Sequence, residues 1–240
     1  AVLEGKVKQL VLVNCCDSAR RVYDIVESTG KCKFLYMLDL PHEDNECEKV
    51  KYAQAIMRLK KAYEKFSGKT FDKEAFLNSF TENETEMKPY IGLMGVRVTG
   101  ILEKMIRDNI QMDVDNLTCT GGRQLAVVPE QMRQMDEEKM FLAYADALLC
   151  QIPCFRMNNN TRRNQLYLDP NLKGIIYHTI KFCDYYGFEY ASIKKNIKVP
   201  LLKIETDFTS QSAGQLLTRI QAFAETIEGS EDMDPGKGIS

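Results

Sequence analysis

The stretch from Gly174 to Phe223 constrains the fold more than any other part of the chain. Ile175, Ile176 and Tyr177 form an apolar run typical of a buried strand, and it gives way to His178, Lys181 and Cys183. Pro200 to Ile204 repeats the pattern and gives way to Glu205 and Asp207. One strand therefore delivers a thiol at its carboxyl edge, and the next delivers two acids. In open α/β sheets, ligands sit in the crevice outside the carboxyl ends of the strands. Two strands ending on Cys, Glu and Asp mark a candidate site.

Charge and hydropathy exclude several classes. The 240 residues carry 32 Lys plus Arg against 34 Asp plus Glu, so no basic field recruits nucleic acid or an anionic membrane. No apolar run approaches the ~18 residues of a transmembrane helix. The opening AVLEGKVKQLVLVN has no basic leader region, long apolar core or small-residue cleavage site. A cytoplasmic protein is expected, long enough for one large or two small domains with real cores.

In chain order, Val7 to Asn14 reads as an interior strand. It ends on Cys15-Cys16-Asp17-Ser18, and Val22, Ile25 and Val26 then recur at helical spacing, with Asp17 or Ser18 as the expected N-cap. A helix start beside the two thiols gives Cys15 or Cys16 a claim to chemistry. A second strand runs from Cys32 to Leu38, with Cys32 structural. From Glu43 to about Lys88 a helical hairpin is expected. Tyr52, Ile56, Leu59 and Tyr63 form a core stripe, Ser67-Gly68-Lys69 makes the break, and Asp72 caps a second helix through Phe76, Leu77 and Phe80. Cys47 is assigned no role.

A fresh α/β unit begins at Tyr90: a strand from Ile91 to Val96, a helix from Thr99 to Asn109 with Ile101, Leu102, Met105 and Ile106 inward, and a strand from Gln111 to Leu117. Gly92 and Gly95 do not complete a dinucleotide fingerprint. Gly121-Gly122-Arg123 is read as a tight turn in preference to a phosphate cradle. A helix near Glu137 to Leu149 leads into Cys150-Gln151-Ile152-Pro153-Cys154. The fold class is α/β, with Rossmann-like parallel-sheet domains and an intervening helical segment. Residues 1–41 are the remnant of a first α/β domain, 42–89 the helical segment, 90–228 a C-terminal α/β domain and 229–240 a polar tail.

Eight cysteines pose a choice between buried structural thiols and metal ligands. Cys150 and Cys154 have no second paired motif, and both histidines are isolated, which argues against a zinc finger. Cys16, Cys154 and Cys183 each stand at a strand end or in a turn before a helix. Three thiolates suffice for an iron–sulfur cube with one iron left for a non-protein ligand. Three buried structural thiols are the competing reading, and the residues alone favour it.

The segments CDSARRVYDIV, IPCFRMNNNTRRNQLYL, GIIYHTIKFCDYYGFEY and LLKIETDFTSQSAGQLLTRIQAFAE, in that order, resemble the successive motifs of the 2-hydroxyacyl-CoA dehydratase family, which includes benzoyl-CoA reductase subunits. The resemblance covers nearly all of the chain and implies a 4Fe-4S cluster held by Cys16, Cys154 and Cys183. Cys15 is set aside because the motif places the ligand directly before Asp17. It further implies an (R)-2-hydroxyacyl-CoA substrate, a second related subunit, and a separate ATP-dependent iron–sulfur activator that injects one low-potential electron. Reductases of the benzoyl-CoA and double-cubane types reuse the same ligands, and a non-catalytic electron carrier is a third class. His178 is a weak candidate base, with a hydrogen-bonded core role preferred. Glu205 and Asp207 are read as structural, bonded to amides or Arg219, and Arg162 or Arg163 as neutralising cluster or CoA phosphate charge. The family carries further residues before the Cys-Asp motif, so the chain is expected to lack the usual N-terminal segment.

Overall fold

The computed structural model describes residues 1–80, 88–118, 121, 125, 129–151, 157, 161–181, 183–207 and 213–231. Contacts divide the chain into two units. One comprises Ala1–Asn83, Leu125–Gln151 and Met157–Asn159, and the other Glu84–Gln124, Ile152–Arg156 and Asn160–Ser240.

In the first unit, β1 (Gln9–Val13), α1 (Asp17–Ser28) and β2 (Phe34–Leu38) form a β–α–β turn with the strands parallel and Gln9 opposite Phe34. The expected interior strand is not observed. Among the described residues β1 pairs with β2 alone, and its burial alternates, leaving Val11 40% and Val13 36% exposed. An apolar run records that a strand is hydrophobic, but the number of neighbours it finds is a property of the rest of the sheet. The helical hairpin follows as α2 (Glu46–Ser67) and α3 (Lys73–Leu77). Asn45 accepts from Glu48 N and Asp72 from Ala75 N, each satisfying a free donor of its helix start. The second helix ends at Leu77, three residues before the expected Phe80. Two more helices, α5 (Pro129–Arg133) and α6 (Glu137–Cys150), join this unit. Tyr52, Ala53 and Ile56 of α2 pack with Leu77, Met132, Met140, Phe141 and Ala145 into one core.

The second unit is a four-stranded parallel sheet built from β3 (Tyr90–Gly95), β4 (Asp113–Asn116), β5 (Leu172–Ile180) and β6 (Leu201–Thr206), in the order β4-β3-β5-β6. Its helices are α4 (Gly100–Asn109), α7 (Thr161–Leu166), α8 (Asp184–Asn196) and α9 (Ala213–Glu231). Alternate strand residues point to opposite faces. Ile91, Leu93, Ile176 and Ile204 therefore meet Leu102 and Ile106 of α4 and Ile220, Phe223 and Ile227 of α9. Met94, Ile175 and Tyr177 meet Tyr186 and Ile193 of α8 on the other face. With both faces covered, β5 has Ile175 through His178 at 0% exposure, which is why its sequence reads as a continuous apolar run. In α4, Leu102 and Ile106 face the sheet as expected, but Ile101 is 80% exposed because it lies about 100° around the helix from Leu102.

The chain leaves β3 toward β4 on one side and later returns to place β5 on the other. The winding direction therefore reverses between β3 and β5, and the carboxyl ends of these two strands bound the crevice that such reversals create. Among the described residues no helix is long and apolar enough to cross a membrane.

Candidate functional site

Cys15 and Cys16 form the turn after β1. Cys15 N donates to Val13 O at 2.8 Å. Cys16, in extended backbone at φ −168° and ψ 169°, is itself the N-cap of α1, where Asp17 or Ser18 was expected. The helix begins one residue earlier than a cap preference for oxygen side chains suggests, and the Cys16 side chain makes no capping hydrogen bond. Cys16 is exposed and Cys15 partly so. A polar chain that sequence reasoning missed braces this turn. Asn14 Nδ2 donates to Asp39 Oδ1 at 2.9 Å, joining the carboxyl ends of the two strands, and Arg20 Nε of α1 donates to Asn14 Oδ1 at 2.6 Å.

Cys183 repeats the arrangement in the second unit. It follows β5, is the N-cap of α8, makes no side-chain capping bond, and stands immediately before an aspartate in the helix's first turn, as Cys16 does. It is partly buried and packs against the core cluster that contains Met94, Tyr177 and Tyr186. Its amide donates to Ile180 O at 3.1 Å, and the Lys181 amide donates to Thr206 O at 3.0 Å, so the turn is held to both β5 and β6. The two acids at the end of β6 meet lysines: Asp207 Oδ2 lies 3.2 Å from Lys181 Nζ, and Glu205 Oε2 3.1 Å from Lys203 Nζ. Arg219, an expected partner of these acids, donates to the Lys203 carbonyl at 2.6 Å.

His178 is fully buried at the carboxyl end of β5. Its Nδ1 is 3.1 Å from Val96 O and its Nε2 2.8 Å from Thr206 Oγ1. A carbonyl only accepts, so Nδ1 carries the proton and Nε2 accepts from the threonine hydroxyl. Burial lowers its pKa below the ordinary histidine value, and the imidazole is held neutral. The ring straps β3, β5 and β6 together at the reversal of winding.

One cluster in the second unit was not legible as such. Glu189, on α8, is 2% exposed, and its carboxylate accepts from Arg163 Nε, from Arg163 Nη2 at 2.8 Å, from Tyr167 OH at 3.2 Å and from Tyr177 OH. Burial disfavours the Arg163 cation, but the hydrogen bonds and charge of Glu189 more than offset this and raise its pKa. Burial, then the Glu189 charge, raises the pKa values of Tyr177 and Tyr167, so both phenols remain donors. Arg163 was expected to neutralise a cluster or a CoA phosphate; it is 2% exposed and engaged with Glu189. The signal that points to this is Glu189 itself, an acid in register with buried Tyr186 and Ile193 at helical spacing.

Cys154 lies outside the described residues, as do Cys119, Gly122, Arg123 and the Arg162 side chain. Of the remaining thiols, Cys32 donates to Phe34 O at 3.1 Å at the head of β2, as a structural cysteine does, while Cys47 and Cys150 are exposed on α2 and α6. Cys16 belongs to the first unit and Cys183 to the second. Among the described residues no three His, Cys, Asp or Glu side chains gather as a metal-binding group. A cavity of about 570 Å³ in the first unit, walled by Val11, Phe34, Tyr63, Phe71 and Phe76, is apolar, and neither Cys15 nor Cys16 lines it.

A family model for the 2-hydroxyglutaryl-CoA dehydratase D-component matches residues 2–90 and 81–227. The Escherichia coli strain K12 protein named "Putative dehydratase subunit YjiM" is 27% identical over 180 residues, covering 65% of this chain and 45% of that protein. The (R)-phenyllactyl-CoA dehydratase beta subunit of Clostridium sporogenes is 27% identical over 157 residues, covering 59% of this chain and 40% of that protein. The chain therefore spans less than half the length of these curated relatives.

Proposed function

The chain belongs to the 2-hydroxyglutaryl-CoA dehydratase D-component family, and from that premise we propose that it is the iron–sulfur subunit of an (R)-2-hydroxyacyl-CoA dehydratase, with Cys16, Cys154 and Cys183 holding a 4Fe-4S cluster. The observation that carries this reading is the repeated Cys-Asp turn. Cys16 and Cys183 end parallel strands of two different sheets, occupy the N-cap of the following helix, and make no capping bond to it. Thiolate is the ligand such clusters take, and free helix amides beside the sulfur suit an anionic site.

The chemistry explains why an electron-transfer centre belongs here. The β-proton of a 2-hydroxyacyl thioester is not acidic and hydroxide is a poor leaving group, so acid–base elimination alone faces a high barrier. One electron added to the thioester carbonyl gives a ketyl radical anion that expels the 2-hydroxyl. The β-proton then becomes acidic and leaves to a base, and the electron is returned, so the net change is loss of water. When bound, the cluster supplies low-potential one-electron transfer. Beyond the two cysteines, the described residues contribute position: the β5–Cys183–α8 turn is tied to β6 through the Lys181 amide, and His178 straps the strand ends through its two ring nitrogens. A second related subunit, an ATP-dependent iron–sulfur activator, an acyl-CoA substrate and a cytoplasmic setting complete the proposal, and relatives named as a beta subunit and a D-component support multi-subunit assembly.

The test is anaerobic reconstitution with iron and sulfide, followed by iron counting and low-temperature EPR. About four irons per chain are expected, lost in Cys16→Ala, Cys154→Ala and Cys183→Ala and retained in Cys15→Ala. A folded chain that takes up no iron, or equal loss in all four variants, overturns the ligand set. With partner and activator present, water loss with the electron recovered is the expected turnover. Net electron consumption indicates the reductase class, and cluster reduction without turnover indicates an electron carrier.

A further inference from the structure

We infer that Glu189 is a positioning residue for Cys183, clasping the strand and helix arms of the β5–Cys183–α8 turn through a buried network with Tyr177, Arg163 and Tyr167. Tyr177 precedes the thiol by six residues on β5, and Glu189 follows it by six residues on α8. The hydrogen bond from Tyr177 OH to the Glu189 carboxylate therefore closes the turn at its base, with Cys183 at the apex. Arg163 and Tyr167 reach the same carboxylate from α7 and the turn after it, which leaves the helix no freedom to slide along the strand.

The carboxylate uses all the acceptor sites it has: two hydrogen bonds from the guanidinium and two from phenols. A buried carboxylate with every acceptor site engaged favours a single arrangement, because losing a partner leaves a buried polar group short of a hydrogen bond. An aliphatic residue at 189 would still fill the apolar stripe of α8, but it would strand the buried Arg163 guanidinium and would not fix the helix register. The acid in the apolar stripe between Tyr186 and Ile193 therefore serves to specify where the helix starts, and its start is Cys183. The importance of that placement rests on the reading of Cys183 as a cluster ligand; the clasp itself can be tested without a cluster.

The experiment uses the full chain in its apo form under reducing, anaerobic conditions. N-ethylmaleimide labelling of each cysteine is followed by peptide mass spectrometry in wild type, Glu189→Gln, Tyr177→Phe and Leu102→Ala. The last variant lowers stability from the opposite face of the same sheet, where Leu102 is buried against α9 and the strands. The Cys183 labelling rate is expected to rise about tenfold in Glu189→Gln and several-fold in Tyr177→Phe through local opening of the turn. Cys16 and Cys32 should stay at the wild-type rate, and Leu102→Ala should lower the unfolding midpoint without matching the Cys183 increase. Tyr177→Phe keeps the arginine–glutamate pair intact and decides the matter if Glu189→Gln does not fold. A Cys183 rate within about twofold of wild type in Tyr177→Phe, or the same increase in Leu102→Ala, overturns the clasp. On reconstitution, the clasp variants should release iron to a chelator faster than wild type. A wild-type chain that takes up no iron removes the cluster reading and leaves the labelling rates to decide the clasp.

Discussion

Replacing Gly95 by Ala tests the junction of β3 and β5 directly. Gly95 ends β3 at φ +90°, a conformation L side chains rarely adopt, and a Cβ built there lies 2.1 Å from the backbone oxygen of His178. Left-handed backbone costs a non-glycine residue about 1–2 kcal/mol. The backbone approach adds more, because β3 and β5 must part by about 1 Å to restore ordinary contact. The same His178 carbonyl accepts from Val96 N at 2.9 Å, and the His178 ring donates to Val96 O, so parting the strands loosens two bonds. Each such bond contributes about 0.5–1.5 kcal/mol net. Together these give roughly 3 kcal/mol for Gly95→Ala. Hydrogen exchange at the β5 amides, interior to the second sheet, reads this loss without involving the first unit. Protection there should fall by about two orders of magnitude. A change below about 0.5 kcal/mol, within the range of neutral surface substitutions, would refute the close approach.

Two further perturbations follow from individual contacts. His178 is held neutral by burial, so as pH falls the unfolded chain takes up its proton before the folded one. The stability His178 contributes is complete above its ordinary titration range and is lost as pH falls through that range toward the lowered folded value, with a slope of at most about 1.4 kcal/mol per pH unit. Urea midpoints for wild type should therefore drop more steeply than those of His178→Gln between pH 7.5 and 5.5, and parallel profiles would contradict the assignment. Asp72→Ala removes the bond that Asp72 Oδ1 accepts from Ala75 N at 2.9 Å. It should cost about 1 kcal/mol, read as a lower midpoint by circular dichroism, with Asp72→Asn close to wild type.

The sequence makes the second sheet legible for a simple reason. A strand buried on both faces needs apolar residues at every position, and Ile175 to Tyr177 supply them. The cap read at Asp72 and the helix start read at Thr99 are both observed, with the side-chain oxygen accepting from the helix start, and Asn45 and Asp136 cap their helices in the same way without having been singled out. Cys16 and Cys183 break that local rule, and both do so at positions the site reading singles out, where consistency between levels is expected to fail. The Arg163–Glu189 pair was illegible as a pair because its members stand 26 residues apart and no local periodicity links them. The exposure of β1 was hidden for a related reason: its residues alternate between half-buried and exposed although nearly all are apolar.

The two Cys-Asp turns share a local plan but differ in how they are held. Around Cys16, the side-chain ties include the bonds from Asn14 to Asp39 and from Arg20 to Asn14 and the ion pair of Arg20 with Asp17, all exposed, where water competes for each donor and acceptor. Around Cys183, the corresponding tie is a carboxylate 2% exposed that accepts four hydrogen bonds. Exposed bonds of the first kind contribute little net free energy and yield easily, whereas removing a member of the second strands a buried charge at a cost of about 3–5 kcal/mol. The described ties around Cys183 are therefore the costlier to break, and a substitution that removes one should lower stability more than a substitution at Asn14 or Arg20.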